Sequence, residues 1–203
     1  MGEVVAAKAP RRRTIGLTGG IATGKSTVSD YLVRQYGLPV LDADVFAREA
    51  VAAGSETLEV ICDRYGSAVL LPDGSLNRPQ LGKIIFSNMA EKEWLEQQIH
   101  PYVRRRFREE SDALEANQIL IYSIPLLFEA NLTHLVTEIW VVTCSPVQQL
   151  ERLMQRNNLS GQEAQARIDA QMNLDEKVRR ANVVLDNSHS QSALFSQIDQ
   201  LMR

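Results

Sequence analysis

The sequence predicts an α/β fold, a parallel sheet flanked by helices, on three observations. Short apolar runs alternate with helical patterns along the chain; two of those runs are apolar throughout, as strands covered on both faces must be; and a glycine-rich turn joins the first run to the first helix. In open sheets of this kind ligands bind beyond the carboxyl ends of the strands, so chemistry-bearing residues just past those ends carry the most weight.

In chain order, Thr14-Ile15-Gly16-Leu17 is a short first strand, and Lys25 to Tyr36 is a helix with Val28, Leu32 and Val33 on one apolar face. Gly37 and Pro39 end that helix and lead into a second strand, Pro39-Val40-Leu41. From about Ala43 to Pro101 the pattern is helical, with Leu76-Asn77-Arg78-Pro79 marking a turn before another helix. That stretch is long enough for an inserted helical substrate region, residues 51–114, in a domain whose core is 14–50 and 115–203. Strand character returns at Gln118 to Tyr122 and at Glu138 to Val142, the second carrying Trp140 as a packing residue. Between them Pro125-Leu126-Leu127-Phe128-Glu129 reads as a turn followed by an apolar anchor. After Pro146 a polar, arginine-rich helix pair runs to about Ala181. Val183 to Leu185 is a last short strand, and an amphipathic helix around Leu194 to Leu201 closes the chain. Residues 1–13 read as a flexible tail.

With 203 residues the chain fits one domain that buries roughly 70% of its unfolded surface. The net charge of −3 argues against a general nucleic-acid binder, which needs a basic face to displace counterions from phosphates. The basic run Arg104 to Arg106 is followed by Phe107, Arg108, Glu109 and Glu110 and reads as a solvated helix face. Cys62 and Cys144 stand far apart with no metal-ligand spacing, which points to a reduced, cytoplasmic setting. The sequence contains no run of ~18 apolar residues of the kind that spans a bilayer, so no membrane partner is expected. The sequence read in this way suits a monomer acting on small molecules.

The strongest motif is Gly19-Gly20-Ile21-Ala22-Thr23-Gly24-Lys25-Ser26, followed by Thr27; it satisfies G-x-x-x-x-G-K-[ST] between a strand and a helix. Its glycines let the backbone curl so that amide N–H groups converge on a phosphate, and the positive end of the helix dipole adds to that field. Lys25 is suited to bridge the β- and γ-phosphates of ATP, and the Ser26 hydroxyl to ligate Mg²⁺. The motif makes this a P-loop NTPase fold.

Asp42-Ala43-Asp44 follows the second strand, and strand alternation would turn both carboxylates to one side. One could accept a proton from an attacking hydroxyl while the other orients the metal or the acceptor; helix N-capping competes as a role for either. Arg152, Arg156 and Arg167 could line a hinged lid that surrounds the moving phosphoryl group with positive charge, or could be ordinary helix-surface charge among Glu151, Glu163 and Asp169.

With these stretches in view, the chain resembles the dephospho-coenzyme A kinases. The resemblance rests on Gly16 to Ile21 leading into Gly24-Lys25-Ser26-Thr27, on Asp42-Ala43-Asp44 with Ala47-Arg48, and on Leu76-Asn77-Arg78. Leu95-Glu96, His100-Pro101, Pro125 to Glu129, Gln149 with Arg152, Arg167-Ile168 with Gln171, and Asn187 extend it from about Thr14 to the C-terminus. It implies a parallel-sheet core, a helical substrate domain and a mobile lid over about 150–175, with transfer of the γ-phosphoryl of ATP to the ribose 3′-hydroxyl of dephospho-coenzyme A. By position, the resemblance makes Asp44 the catalytic base, with Lys25, Asp42 and Arg152 beside it in catalysis, and Ser26 and Asp42 the metal ligands. It puts Arg48, Asn77, Arg78, His100 and Arg167 on the substrate side, and Arg152 and Asn187 with ATP, Asn187 near the adenine.

Departures from the family pattern fall at Asn157-Asn158 in place of Arg-Asp, at Asn182 in place of Asp, and at His189 in place of glycine. Ser123 leaves no carboxylate at the end of its strand. His134 and His189 offer no partner pattern, and Asp63-Arg64-Tyr65-Gly66 matches a nucleotide-switch pattern by chance. Two rivals remain: a phosphate-loop kinase for another acceptor, and a nucleotide-dependent switch. The switch lacks the Asn-Lys-x-Asp that reads guanine.

Overall fold

The computed structural model describes residues 12–86 and 88–203. Strands β1 (Thr14–Gly19), β2 (Val40–Asp42), β3 (Leu120–Ser123), β4 (Glu138–Thr143) and β5 (Val183–Asp186) form one sheet in the order β2-β3-β1-β4-β5. β1 pairs in parallel with β3, Ile15 opposite Ile121, and with β4, Leu17 opposite Trp140; β4 pairs in parallel with β5, Val142 opposite Leu185. Every residue of β1 and β3 is buried, and β3 accordingly opens on an apolar run, Leu120-Ile121-Tyr122.

The chain divides into two compact units, one running to Leu41 and resuming at Glu115–Arg203, the other Asp42–Leu114. In the first, helix α1 (Lys25–Tyr36) and the C-terminal helix α9 (Gln191–Leu201) contribute Val28, Leu32, Leu194 and Ile198 to a core completed by Ile15, Leu17, Ile121, Trp140, Val142 and Leu185. Val33, expected on the apolar face of α1, is 46% exposed; one residue past Leu32 turns it 100° away, and Ser29 takes the buried position instead. Tyr31 and Tyr36 both donate to Asp199 at 2.7 Å, which locks α1 to α9.

Where a helix pair was expected after Pro146, three helices occur: α6 (Pro146–Asn157), α7 (Gly161–Asp169) and α8 (Leu174–Arg179). Asn158 ends α6 with φ 50 and donates its N–H to Met154, a left-handed cap that asparagine tolerates. Ser160 and Glu163 form a reciprocal capping box at the start of α7. Asn173 caps α8 by accepting from Asp175 and Glu176, which stabilises a helix of only 6 residues.

The second unit holds α2 (Ala43–Ala50), α3 (Glu56–Tyr65), α4 (Arg78–Phe86) and α5 (Met89–Asp112) around a core of Val51, Leu58, Ile61, Val69, Leu76, Leu81 and Leu95. Its boundary falls at Asp42 rather than at 51, because α2 packs on α5: Phe46 meets Phe107 edge-to-face at 5.1 Å, and Glu49 accepts from Arg106 at 3.1 Å. The helix expected to end near Pro101 continues to Asp112. Proline there forfeits one backbone bond, and Leu95, Val103 and Phe107, buried on both sides of it, hold the helix together. Arg104 and Arg105 are exposed as expected, whereas Arg106 also reaches Glu110 at 2.7 Å.

A second network in this unit sets an acid limit. Arg64 donates to both oxygens of Glu91 at 2.7 and 2.9 Å and lies over the Trp94 ring at 4.4 Å, while Tyr65 also donates to Glu91. The Arg64 and Tyr65 hydrogen bonds hold the Glu91 carboxyl down at about 2. A depressed carboxyl stabilises the fold above its unfolded pKa and loses that contribution as pH falls toward its folded one. Glu91→Gln is therefore expected to destabilise the protein at pH 6 and to lose its effect as pH falls from about 4 toward about 2. Urea unfolding across that range reads the difference.

Of the tail expected over 1–13, residues 1–11 lie outside the described residues. Arg12 and Arg13 are anchored, not loose: Arg12 donates to the Glu115 carbonyl at 2.9 Å, and Arg13 pairs with Glu138. No described helix is long and apolar enough to cross a membrane.

Candidate active site

β1 ends at Gly19 and α1 begins at Lys25, so the glycine-rich segment spans the turn between them as the motif requires. Thr23 folds the loop back on itself, its N–H and Oγ1 both meeting the Gly20 carbonyl, at 3.3 and 2.9 Å. Ala22 (φ 62) and Gly24 (φ 103) are left-handed. At Gly24 a Cβ would stand 2.1 Å from the Asn187 amide, and at Gly20 one would stand 2.5 Å from that of Gln149.

Those two amides are fasteners. Gln149 donates to the Ile21 carbonyl at 2.9 Å and Asn187 to the Thr23 carbonyl at 2.8 Å, while the Ile21 N–H donates to Gln171 at 2.8 Å. The peptides here are trans, so a carbonyl held on one side sends the next N–H to the other. Tying Ile21 and Thr23 by their carbonyls thus turns the N–H groups of Ala22 and Gly24 away from the fasteners. α1 opens with Gly24, without a capping side chain or an acidic residue in its first turn, so its N-terminal dipole is not neutralised locally. Lys25 extends to the Ser123 hydroxyl at the end of β3, Ser26 is exposed and Thr27 half-buried. The curled backbone, the uncapped helix start and the lysine at its head fit a polyphosphate.

Gly24→Ala tests the cradle. The added methyl must displace the Asn187 amide and sit at a φ that costs about 1–3 kcal/mol, so ATP affinity should fall roughly tenfold to a hundredfold. A titration of ATP against the variant, with thermal melting as the folding control, measures it.

The adenine-side expectation for Asn187 meets a different geometry. Its side chain is buried and committed to Thr23, its N–H bonds the Thr143 carbonyl, and its own carbonyl accepts from Arg152 at 3.0 Å. Arg152 lies beside Cys144, whose thiol burial pushes up, and its Nη1 is buried with no partner among the described residues. One helical turn earlier Gln148 donates to the Ser188 carbonyl at 2.9 Å and leaves a buried Oε1 unmatched. Arg152 and Gln148 thus offer one donor and one acceptor with capacity to spare; Gln148 carried no sequence signal. Arg167 is exposed on α7, and Arg156 is exposed and bonds Asn157.

One family departure has a local explanation here. Asn182 accepts from the Ile139 N–H at 2.7 Å and returns its own N–H to the Ile139 carbonyl, work that needs an oxygen acceptor rather than a charge. His189, exposed, stands 3.7 Å from Asp186. His134 contacts the Asn131 carbonyl.

In the helical unit Asp42 is the last residue of β2 and the N-cap of α2, accepting from the Asp44 N–H at 2.8 Å. Strand alternation therefore does not relate the two carboxylates: the helix begins at Ala43, the period changes from two to 3.6, and Asp44 is exposed in the first turn. Arg48 is also exposed and lies four residues on, on the face of α2 that Asp44 occupies. Asn77 caps α4, its Oδ1 accepting from Gln80, and Arg78 beside it is exposed. His100 is half-buried within α5, and burial pulls its pKa below the ordinary histidine value despite Glu96. Among the described residues no group of three His, Cys, Asp or Glu side chains could cage a metal ion.

Comparison with known proteins gives this geometry its family. The dephospho-CoA kinase family model matches residues 13–193. A dephospho-CoA kinase from Synechocystis sp. is 59% identical over 94% of this chain and 95% of its own length, and one from Trichormus variabilis is 57% identical over 93% and 95%. Among solved structures, TT1252 from Thermus thermophilus superposes with a TM-score of 0.82 at 35% identity, covering 95% of this chain and 97% of that one. Dephospho-CoA kinase from Campylobacter jejuni superposes with a TM-score of 0.68 at 27% identity, covering 93% and 94%. A fold likeness extends to the Acinetobacter baumannii shikimate kinase, with a TM-score of 0.53. The fastened phosphate loop, the Asp42–Asp44 helix start and a match over nearly the whole described chain carry one conclusion: this protein belongs to the dephospho-CoA kinase family.

Proposed function

We propose that the chain transfers the γ-phosphoryl group of ATP to the ribose 3′-hydroxyl of dephospho-coenzyme A, giving coenzyme A and ADP, the last step of coenzyme A synthesis. The observation that supports it most is the phosphate loop fastened by Gln149, Gln171 and Asn187 with Lys25 at its head, in a chain of this family.

In this reading the N–H groups of the loop and of the first turn of α1 hold the ATP phosphates, and Lys25 neutralises charge that grows on the oxygens during transfer. Asp44 accepts the proton of the 3′-hydroxyl as its oxygen attacks, and Arg48, on the same face of α2, anchors the acceptor. Asn77, Arg78, His100 and Arg167 serve the acceptor side. Burial holds the His100 pKa below the ordinary histidine value, which favours its neutral form. Arg152 places its spare guanidinium N–H groups beside the nucleotide. Ser26 and Asp42 would hold Mg²⁺, which supplies electrostatic stabilisation of the phosphate oxygens; the lack of a three-ligand cage among the described residues suits an ion held largely by phosphates and water. The proposal extends to a cytoplasmic monomer that needs no nucleic acid.

A coupled assay for ADP release with ATP, Mg²⁺ and each of dephospho-coenzyme A, AMP, CMP, shikimate and gluconate separates this from other acceptor classes. Turnover is expected with dephospho-coenzyme A alone; turnover confined to another acceptor would keep the nucleotide half of the proposal and overturn the rest.

A further inference from the structure

Lys177, on α8, is the one lysine among the described residues with no solvent exposure at all. A buried ammonium is tolerated only where its donors are matched and its charge paired. Both conditions hold: Nζ contacts the Glu129 carboxylate at 2.8 Å and the carbonyls of Pro125 and Gly19 at 3.3 and 3.4 Å. Thr18 fixes the same Pro125 carbonyl through its hydroxyl at 3.0 Å. Glu129 in turn accepts the Met172 N–H at 3.1 Å, next to Gln171, which holds the Ile21 N–H. The short stretch from Gln171 to Lys177 therefore meets the phosphate loop at two points, Ile21 and Gly19, and Glu129 ties its two ends together.

The contact at Gly19 has a directional consequence. Gly19 is the last residue of β1, and its peptide joins the strand to the loop. An ammonium on the Gly19 carbonyl sends the Gly20 N–H to the opposite side, as Gln149 and Asn187 do for the N–H groups of Ala22 and Gly24. Three carbonyls of the loop, at Gly19, Ile21 and Thr23, are thus each held by a side chain, from α8, from α6 and from the residue after β5 respectively, and three alternate N–H groups take the other side. A Cβ at Gly19 would stand 2.5 Å from the Val142 carbonyl, so β4 closely backs the strand end from which this peptide leaves.

We infer that Lys177 is a positioning residue for phosphoryl transfer: paired with Glu129, it orients the Gly19–Gly20 peptide and couples the segment after α7 to the phosphate loop. The inference rests on the reading of that loop as the ATP phosphate site. Its role differs from that of Lys25, since its charge is spent on Glu129 and it acts through the backbone.

The test compares ATP with adenosine, which shares the base and ribose but has no phosphates. Lys177→Met should lower kcat on the order of 100-fold, the scale on which small displacements of a positioned group act. It should also reduce the preference of binding for ATP over adenosine at least tenfold, with adenosine affinity unchanged. Lys177→Met alone leaves Glu129 without its partner, at a cost to folding; the neutral pair Lys177→Met with Glu129→Gln removes both charges, keeps an oxygen for Met172, and carries the test where the single variant does not fold. The pair should recover the melting midpoint while still lacking the ATP preference and the turnover, because Gly19 has lost its donor. A folded neutral pair with wild-type kcat and ATP preference would reduce Lys177 and Glu129 to a stabilising ion pair and overturn the inference. A wild-type protein that binds adenosine as tightly as ATP would overturn the reading of the loop first, and the inference with it.

Discussion

Asp44→Asn is expected to lower kcat by about 10²–10⁴-fold, the range a positioned general base contributes, while ATP affinity stays within a few-fold of wild type. The amide matches the carboxylate in size but cannot take the 3′-hydroxyl proton. The substitution is mild for the fold. Asp42, not Asp44, caps α2, so the cap survives; what is lost is a favourable charge in the first turn, worth about 0.3–1 kcal/mol. Steady-state kinetics with each substrate varied, beside a nucleotide titration, separates the two effects. A wild-type kcat in this variant would remove Asp44 from the chemistry.

Lys25→Ala is the second large effect, on the order of 10²–10³-fold in kcat, with a weaker grip on ATP as well. Lys25 heads α1 and reaches the Ser123 hydroxyl at the end of β3, so its ammonium is held near the strand ends before any nucleotide binds. Alanine at this position keeps good helix propensity, and the melting midpoint should move little. Because the lysine acts on charge that grows during transfer, kcat should suffer more than KM for ATP; an equal loss in ATP affinity and no loss in kcat would make it a uniform binding residue instead.

How far the sequence could be read depended on whether a residue's environment is set locally. The loop from Gly19 to Ser26 was legible because a strand, a fixed glycine spacing and a helix start are all local, and β3 and β4 because burial on both faces leaves an unbroken apolar run. Helix ends were legible only in part. Asn158 and Asn173 divide the region after Pro146 into three helices through a left-handed cap and a side-chain cap, signals that polar composition hides. Pro101 reads as a helix end, and the burial that overrides it comes from Val103 and Phe107 beyond. The assignment of Asn187 to the adenine came from resemblance; its bond to Thr23 spans 164 residues of chain and no spacing encodes it. Lys177 is the extreme case. In a short helical stretch rich in Asp175, Glu176, Arg179 and Arg180 it reads as one more solvated charge, and only the fold brings Glu129 and two carbonyls around it.

In the proposed reaction phosphate moves from ATP to one hydroxyl of one acceptor. Its most direct measurement is identification of the product by mass and phosphorus NMR after the purified chain has been incubated with ATP, Mg²⁺ and dephospho-coenzyme A. The account predicts one ADP for each coenzyme A, with a new phosphomonoester on the ribose 3′-oxygen; ADP released as free phosphate accumulates, with dephospho-coenzyme A unchanged, would contradict it.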